Sequence, residues 1–399
     1  MYFETKLGAL YNGDCLEVLK GLPDNCVTSI VTDPPYGISF MGKKWDYQIP
    51  NVEIWKECLR VLKPGGHALV ACGTRTQHRM AVNLEDAGFE LRDIIGWVYG
   101  SGFPKSLNIG KAIDKLQGNE REIVGKTVKC PPGLNKGLTI GKGWAGEFPD
   151  TKGNSKWEGY GTALKPSMEL WTLCRKPLSE KTIAANVLKW GTGGLNIDGC
   201  RVVINPEVDD KRLGGKGSWS SDKMAKNVYE GGYVGERVGS SEQGRFPANL
   251  IHDGSKQVMQ LFPDTRNRGH FPKNSGGIGT DSGIYGKGVG KDQEEIWMDN
   301  GSAARFFYCA KASRSERGKG NNHPTVKPLK LIEYLCKLIT PPSGVCLDPF
   351  LGSGTTAIAC EKLGYNWIGI EINEEYCNIS KHRIENVSKK KDALDAFFE

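Results

Sequence analysis

Apolar positions follow two periods, and both are clearest near the two ends of the chain. Val27-Thr-Ser-Ile-Val-Thr32 and Ala68-Leu-Val-Ala-Cys72 are short apolar runs, as buried strands require. Between them Val52, Trp55, Leu59 and Leu62 recur at helical spacing, and that stripe stops at Lys63-Pro-Gly-Gly66. Toward the other end, Leu331, Ile332, Leu335, Leu338 and Ile339 predict a helix. A strand at Val345-Cys-Leu347, a helix from about Thr355 to Leu363 and a strand at Trp367-Ile-Gly-Ile370 follow. Strands alternating with helices predict an α/β fold with an open, largely parallel sheet.

The middle of the chain shows little of either period. Of its 52 glycines, 30 fall in residues 121–300, with turn pairs at Gly214-Gly215, Gly231-Gly232 and Gly276-Gly277. The expected organisation is therefore one α/β core split by an insertion: residues 1–120, a glycine-rich stretch 121–300 from which 165–178 returns to the core, and residues 301–399. Charge is uneven in the same way. The chain carries a net +7, and Lys211 to Lys291 holds 13 Lys/Arg against 7 Asp/Glu, or +6. Two readings fit: a solvated, flexible insertion, or a basic surface along a phosphate backbone, with Arg266 and Arg268 as candidate contacts. The aromatics there (Trp219, Tyr229, Tyr233, Phe271, Tyr285) suit base stacking or loop anchoring equally.

Composition excludes some classes. With 38% hydrophobic and 25% charged residues the chain can bury a core, so wholesale disorder is not expected. No apolar run approaches the ~18 residues of a membrane span, and Met-Tyr-Phe-Glu-Thr-Lys lacks a signal-peptide core. The twelve cysteines never form Cys-x-x-Cys, which argues against a zinc ribbon and for a reducing, cytoplasmic setting. Cys58, Cys336 and Cys360 lie in apolar runs and are expected in the core. His67, His78 and His252 suit structural or surface roles, and Lys389-Lys390-Lys391 a solvated tail.

Two strand ends carry chemistry. Thr32-Asp33-Pro34-Pro35-Tyr36-Gly37 follows an apolar strand, where ligands collect in open α/β sheets. Its prolines offer carbonyls and no N–H. Asp33 and the Pro34 carbonyl could accept from a planar ring's NH₂ while Tyr36 stacks on the ring, although Asp-Pro also ends strands in ordinary turns. The second is Asp348-Pro-Phe-Leu-Gly-Ser-Gly-Thr-Thr356, a strand end, glycine turn and helix start. Glu371 closes the next strand, placed to hold a ribose. Alone, this pattern would suit a dinucleotide enzyme too. Both strand ends together favour an amino-group chemistry.

On these motifs the chain resembles the S-adenosylmethionine-dependent amino-group DNA methyltransferases. Catalytic motif first and cofactor loop last is similar to the permuted β-class. Asn12-Gly13-Asp14 resembles the acidic turn at the cofactor adenine, and His323-Pro-Thr-Val-Lys-Pro328 the segment at its methionine end. The similarity covers roughly residues 8–115 and 300–390, plus Lys165 to Pro177. In that last stretch members often carry His-Glu-Pro and this chain has Met168-Glu169-Leu170. The resemblance implies a Rossmann-like methyltransferase sheet with an inserted target-recognition region. It implies Asp33, Pro34, Pro35 and Tyr36 as catalytic residues. It implies a cofactor site of Asp14, Asp33, Pro324, Thr325, Lys327, Asp348, Pro349, Phe350, Gly352, Ser353, Gly354, Thr355, Thr356, Glu371 and Ile372. Lys43-Lys44-Trp45, just after the first motif, is a candidate lining of the target channel, with Trp45 suiting a core or loop anchor equally. Double-stranded DNA is the implied partner, with a homodimer and a cognate restriction endonuclease as further partners to be sought.

The implied reaction is direct methyl transfer to an exocyclic nitrogen of a flipped base, adenine N6 in preference to cytosine N4. A ring-carbon enzyme would need Pro-Cys, whereas Cys130 precedes Pro131. The same four residues would suit an RNA base or a protein amide, and loss of either motif would have marked a non-catalytic DNA-binding subunit.

Overall fold

The computed structural model describes residues 1–38, 46–102, 106–129, 146–204, 244–266, 300–310, 321 and 326–398. Lys43, Lys44, Trp45, Arg268, Pro324 and Thr325 lie outside these residues, as does most of the basic stretch. The chain forms two compact units, one of residues 1–100 and 168–399, the other of Ser101–Ser167.

The larger unit begins with strands β1 (Phe3–Glu4) and β2 (Gly8–Asn12), helix α1 (Cys15–Lys20), β3 (Val27–Thr32), α2 (Val52–Val61), β4 (Leu62–Gly73), α3 (Gln77–Asp86) and β5 (Glu90–Val98). The smaller unit holds α4 (Ile109–Gln117) and an antiparallel pair, β6 (Glu122–Lys129) and β7 (Gly146–Lys152). There Arg121 joins buried Asp114 to Glu158. The larger unit resumes with β8 (Met168–Arg175), α5 (Ile183–Trp190), β9 (Leu250–His252), α6 (Lys256–Met259), β10 (Asp264–Arg266), β11 (Asn300–Ser302) and β12 (Tyr308–Cys309). It ends with α7 (Leu329–Ile339), β13 (Val345–Asp348), α8 (Thr355–Leu363), β14 (Asn366–Glu371) and α9 (Glu374–Phe398).

Among the described residues, ten strands make one sheet in the order β1-β2-β14-β13-β3-β4-β8-β5-β9-β12. Only β1 and β8 run against the rest, so the sheet is mixed but mostly parallel. Neighbouring residues in the central strands feed opposite faces. Ile30, Val70 and Leu347 pack with Leu19, Trp55, Cys58, Met80 and Leu84 of α1–α3. Val31, Leu69 and Ala71 pack with Leu331, Leu335, Ala357 and Ile384 of α7–α9. Helices on both faces of an α/β sheet make the fold Rossmann-like.

Two expectations change. Leu62 is not the last helical residue: it is extended (φ −75°, ψ 136°) and already opposite Val27 in β4. Lys63-Pro-Gly-Gly66 loops out before pairing resumes at Ser29 and His67, with Gly65 at φ +77° and the Pro64 carbonyl bound by Asn186 and Thr192. β9 also lies inside the stretch that glycine content assigns to the insertion, yet it pairs with β5 in the large sheet. The expected 121–300 boundary is therefore not the boundary of the sheet.

Strand order decides where a ligand can sit. From β3 the chain moves to β4 on one side, and from β13 to β14 on the other. The adjacent carboxyl ends of β3 and β13 therefore form a topological switch point, the crevice where open α/β sheets bind ligands.

Candidate active site

A cleft of about 490 Å³ opens there, lined by both motifs. Register explains the meeting of residues more than three hundred apart: Leu347 lies opposite Ile30, and Asp348 Oδ1 accepts a 2.7 Å hydrogen bond from Thr32 Oγ1.

The glycine-turn half is held by its own carboxylates. Asp348 is buried and also accepts from Phe350 N at 3.1 Å and from Thr356. Burial pushes its carboxyl up to about 7, although these hydrogen bonds oppose the shift. Glu371 Oε2 accepts from Gly352 N at 2.9 Å and its Oε1 from Asn373 N at 2.8 Å. Burial raises this carboxyl to about 6. Gly354 sits at φ +84°, and a Cβ there would lie 3.0 Å from Ser380 Cβ, so this turn requires glycine. Ser380 Oγ donates to the Gly352 carbonyl at 2.7 Å, and Arg383 donates to the Ser353 carbonyl and hydroxyl. Beyond Gly354, α8 starts at Thr355 without a side-chain cap.

Asp14, Pro349, Phe350, Gly352, Ser353, Thr355 and Thr356 line the cleft, and Ile372 offers an apolar side chain that is 65% exposed. Asp14 caps α1 through Leu16 N. Asn12 bonds the Glu371 and Ile372 carbonyls, tying this acidic turn to β14.

The Asp-Pro-Pro-Tyr half is equally constrained. Asp46, 1% exposed, accepts from the backbone N–H of Tyr36 (2.7 Å), Gly37 (3.0 Å) and Ile38 (3.3 Å). Thr76 Oγ1 donates to the Tyr36 carbonyl at 2.7 Å. The Tyr36 hydroxyl donates to Asp33 Oδ1 at 2.8 Å and lies 3.2 Å from Glu169 Oε2. Burial, then the Asp33 and Glu169 charges, keep this phenol protonated well above its ordinary range.

Lys327 completes the group, 2.8 Å from Asp33 Oδ2, 3.0 Å from Glu169 Oε2 and 5.3 Å from the Tyr36 ring centroid. Burial alone would lower its pKa, but Asp33 and then Glu169 more than offset that, so the ammonium stays charged.

Of the residues expected at the site, the described ones above and Pro34 and Pro35 line one cleft; Gly354 shapes the turn behind it. Lys327, expected to face the cofactor, pairs with Asp33. Asp46 and Glu169 carried no expected role: each is a single acid with no period or spacing to mark it. The Glu of Met168-Glu169-Leu170 was the one available signal. Arg266 ends β10, which among the described residues pairs with β11 in a separate two-stranded sheet. The buried thiols confirm the core reading of Cys58, Cys336 and Cys360.

The sequence model of a DNA methylase family, of the N6/N4 methyltransferase type, matches residues 27–117 and 254–382, more than half of the chain and both strand-end motifs. The chain belongs to this DNA methylase family. Type II methyltransferase M.ScaI of Streptomyces caespitosus is 39% identical to it over 97 residues, 24% of this chain and 30% of that protein. M.HpaI of Haemophilus parainfluenzae is 38% identical over 106 residues, 27% and 30%. These matches span less than a third of either relative. M.HindIII of Haemophilus influenzae matches at 20% identity over 95% of both chains. Among solved structures, the cytosine-N4-specific PvuII DNA methyltransferase aligns with a TM-score of 0.45 at 15% identity, over 97% of this chain and 93% of that one. In the chain's own sheet, the methylase match brackets the switch point on both sides.

Proposed function

We propose that the protein is a β-class, Asp-Pro-Pro-Tyr type DNA methyltransferase that methylates the exocyclic N6 of an adenine flipped from duplex DNA, with S-adenosylmethionine as cofactor. The observation carrying this reading is that one cleft joins the Asp33–Tyr36 turn to the Asp348–Glu371 turn. The cofactor would supply an electrophilic methyl on a positively charged sulfur. Asp14, Asp348, Phe350, Gly352, Glu371 and Ile372 would hold it: the donor set combines carboxylates, an uncapped helix start and an exposed apolar side chain.

The target nitrogen is a poor nucleophile because its lone pair is delocalised into the ring. Asp33 and the Pro34 carbonyl accept its two hydrogens, bending the amine toward sp³ and localising the lone pair. Carboxylate charge then stabilises the positive charge that grows on nitrogen. Tyr36 is the stacking surface, held by Asp46 and Thr76. A base within a duplex cannot reach this cleft and must be flipped into it. The basic stretch, including Arg266 and Arg268, is the proposed DNA-facing region, and a second copy and a cognate endonuclease are proposed partners.

Methylating duplex DNA, digesting it to nucleosides and separating them by mass tests the reading. N6-methyl-2′-deoxyadenosine is the expected product. N4-methyl-2′-deoxycytidine alone would keep the mechanism and change the base, which Asp33 and Tyr36 serve equally well. Methylated RNA or protein with unmodified DNA would overturn it.

Cofactor affinity should depend on pH. Asp348 and Glu371 titrate near 7 and 6, and a bound cation favours their ionised forms. Binding therefore releases protons, so affinity should rise with pH through this window, by about tenfold from pH 5.5 to 8. Calorimetry at several pH values checks it, and a flat profile would remove both acids from cofactor binding.

A further inference from the structure

The geometry points to Glu169 as a positioning residue that keeps a net negative charge at Asp33 by sharing Lys327. This rests on the methyltransferase reading above and concerns the same cleft. Asp33 alone with Lys327 at 2.8 Å would be a neutral pair, a weak partner for a nitrogen that turns positive during transfer. Glu169, 3.0 Å from the same ammonium, changes that sum. Two carboxylates and one ammonium leave the cluster with a charge of −1.

Burial gives the arrangement weight. Lys327 is 9% exposed, Glu169 18% and Asp33 23%, so water screens the three charges only in part. Glu169 is also fixed in direction: it lies in β8, between β4 and β5, and accepts a hydrogen bond from Tyr99. Asp46, the other acid beside the motif, faces the backbone N–H groups of Tyr36, Gly37 and Ile38, on the turn and not on the ammonium. β8 runs antiparallel to its neighbours, which brings its first residues, Glu169 included, to the end of the sheet where the parallel strands finish. The reversed strand thereby supplies a carboxylate at the mouth of the cleft.

Three variants test this, each assayed for kcat, KM for DNA, cofactor binding and thermal melting. Glu169→Gln keeps the shape and removes the charge. It should lower kcat by about 10²-fold while KM and cofactor affinity stay within about threefold. Glu169→Asp, which retains the charge, should keep at least about tenfold more activity than Glu169→Gln. The double variant Glu169→Gln/Lys327→Gln restores a charge of −1 and should be at least about tenfold faster than Glu169→Gln alone. Glu169→Gln at wild-type kcat, Glu169→Asp as slow as Glu169→Gln, or a double variant no faster than the single would each overturn the assignment. If Glu169→Gln melts early, the other two variants decide between charge and packing. Wild-type protein that methylates no DNA would instead defeat the methyltransferase reading, a separate result.

Discussion

Asp33→Ala should reduce methyl transfer by at least about 10²–10³-fold and leave cofactor affinity within a few-fold of wild type. The magnitude is that of removing one electrostatic contact aimed at charge that develops in the transition state. Binding should survive because the other turn is organised without Asp33: Glu371 bonds Gly352 and Asn373, and Asp348 bonds Thr32 and Phe350. The fold should survive too. Lys327 loses one counter-ion but keeps Glu169 at 3.0 Å, so no charge is left buried alone. Single-turnover transfer from labelled cofactor, beside calorimetry, separates the two effects. Near-wild-type transfer by the variant would remove Asp33 from the chemistry, and a parallel loss of binding would recast it as a cofactor ligand.

Glu371→Ala should produce the opposite pattern, a loss of cofactor affinity of about 10²-fold or more. Its two oxygens accept from backbone N–H groups on both sides of the turn, at 2.9 and 2.8 Å. Hydrogen bonds to a charged group contribute about 1.5–3 kcal/mol each, and about 1.4 kcal/mol is tenfold in binding. Both N–H groups would lose their acceptor, and any ribose contact would be lost as well. Glu371→Gln should not rescue fully, because its NH₂ would face one of two N–H donors. Calorimetry on both variants reads the effect directly. A glutamine variant that binds like wild type would show that one backbone contact suffices and that the second oxygen has no role.

Local pattern carried the central elements. β3 and β13 are short, mostly apolar segments and α7 repeats apolar residues at helical spacing, so burial and secondary structure are written in the same few residues. The glycine turn was equally readable, because Gly354 at φ +84° is a local requirement. Leu62 shows the limit of such patterns: a helical spacing continued by one position into a residue that the neighbouring strand Val27 claimed. β9 shows another, since three residues are too few to show a period and only pairing with β5 makes them a strand.

The sequence by itself determined the α/β class, the two strand-end motifs and the order in which they occur. Tertiary structure alone decided that these motifs share one cleft, because parallel pairing of β3 with β13 sets Leu347 opposite Ile30 across more than three hundred residues. It also decided the charges around Asp33. Asp46, Glu169 and Lys327 each reach the Asp33–Tyr36 turn from a different part of the chain. A charged side chain has no period to announce its partner. Its role follows from which opposite charge lies within about 3 Å in a partly buried site, and that distance exists only once the sheet has formed.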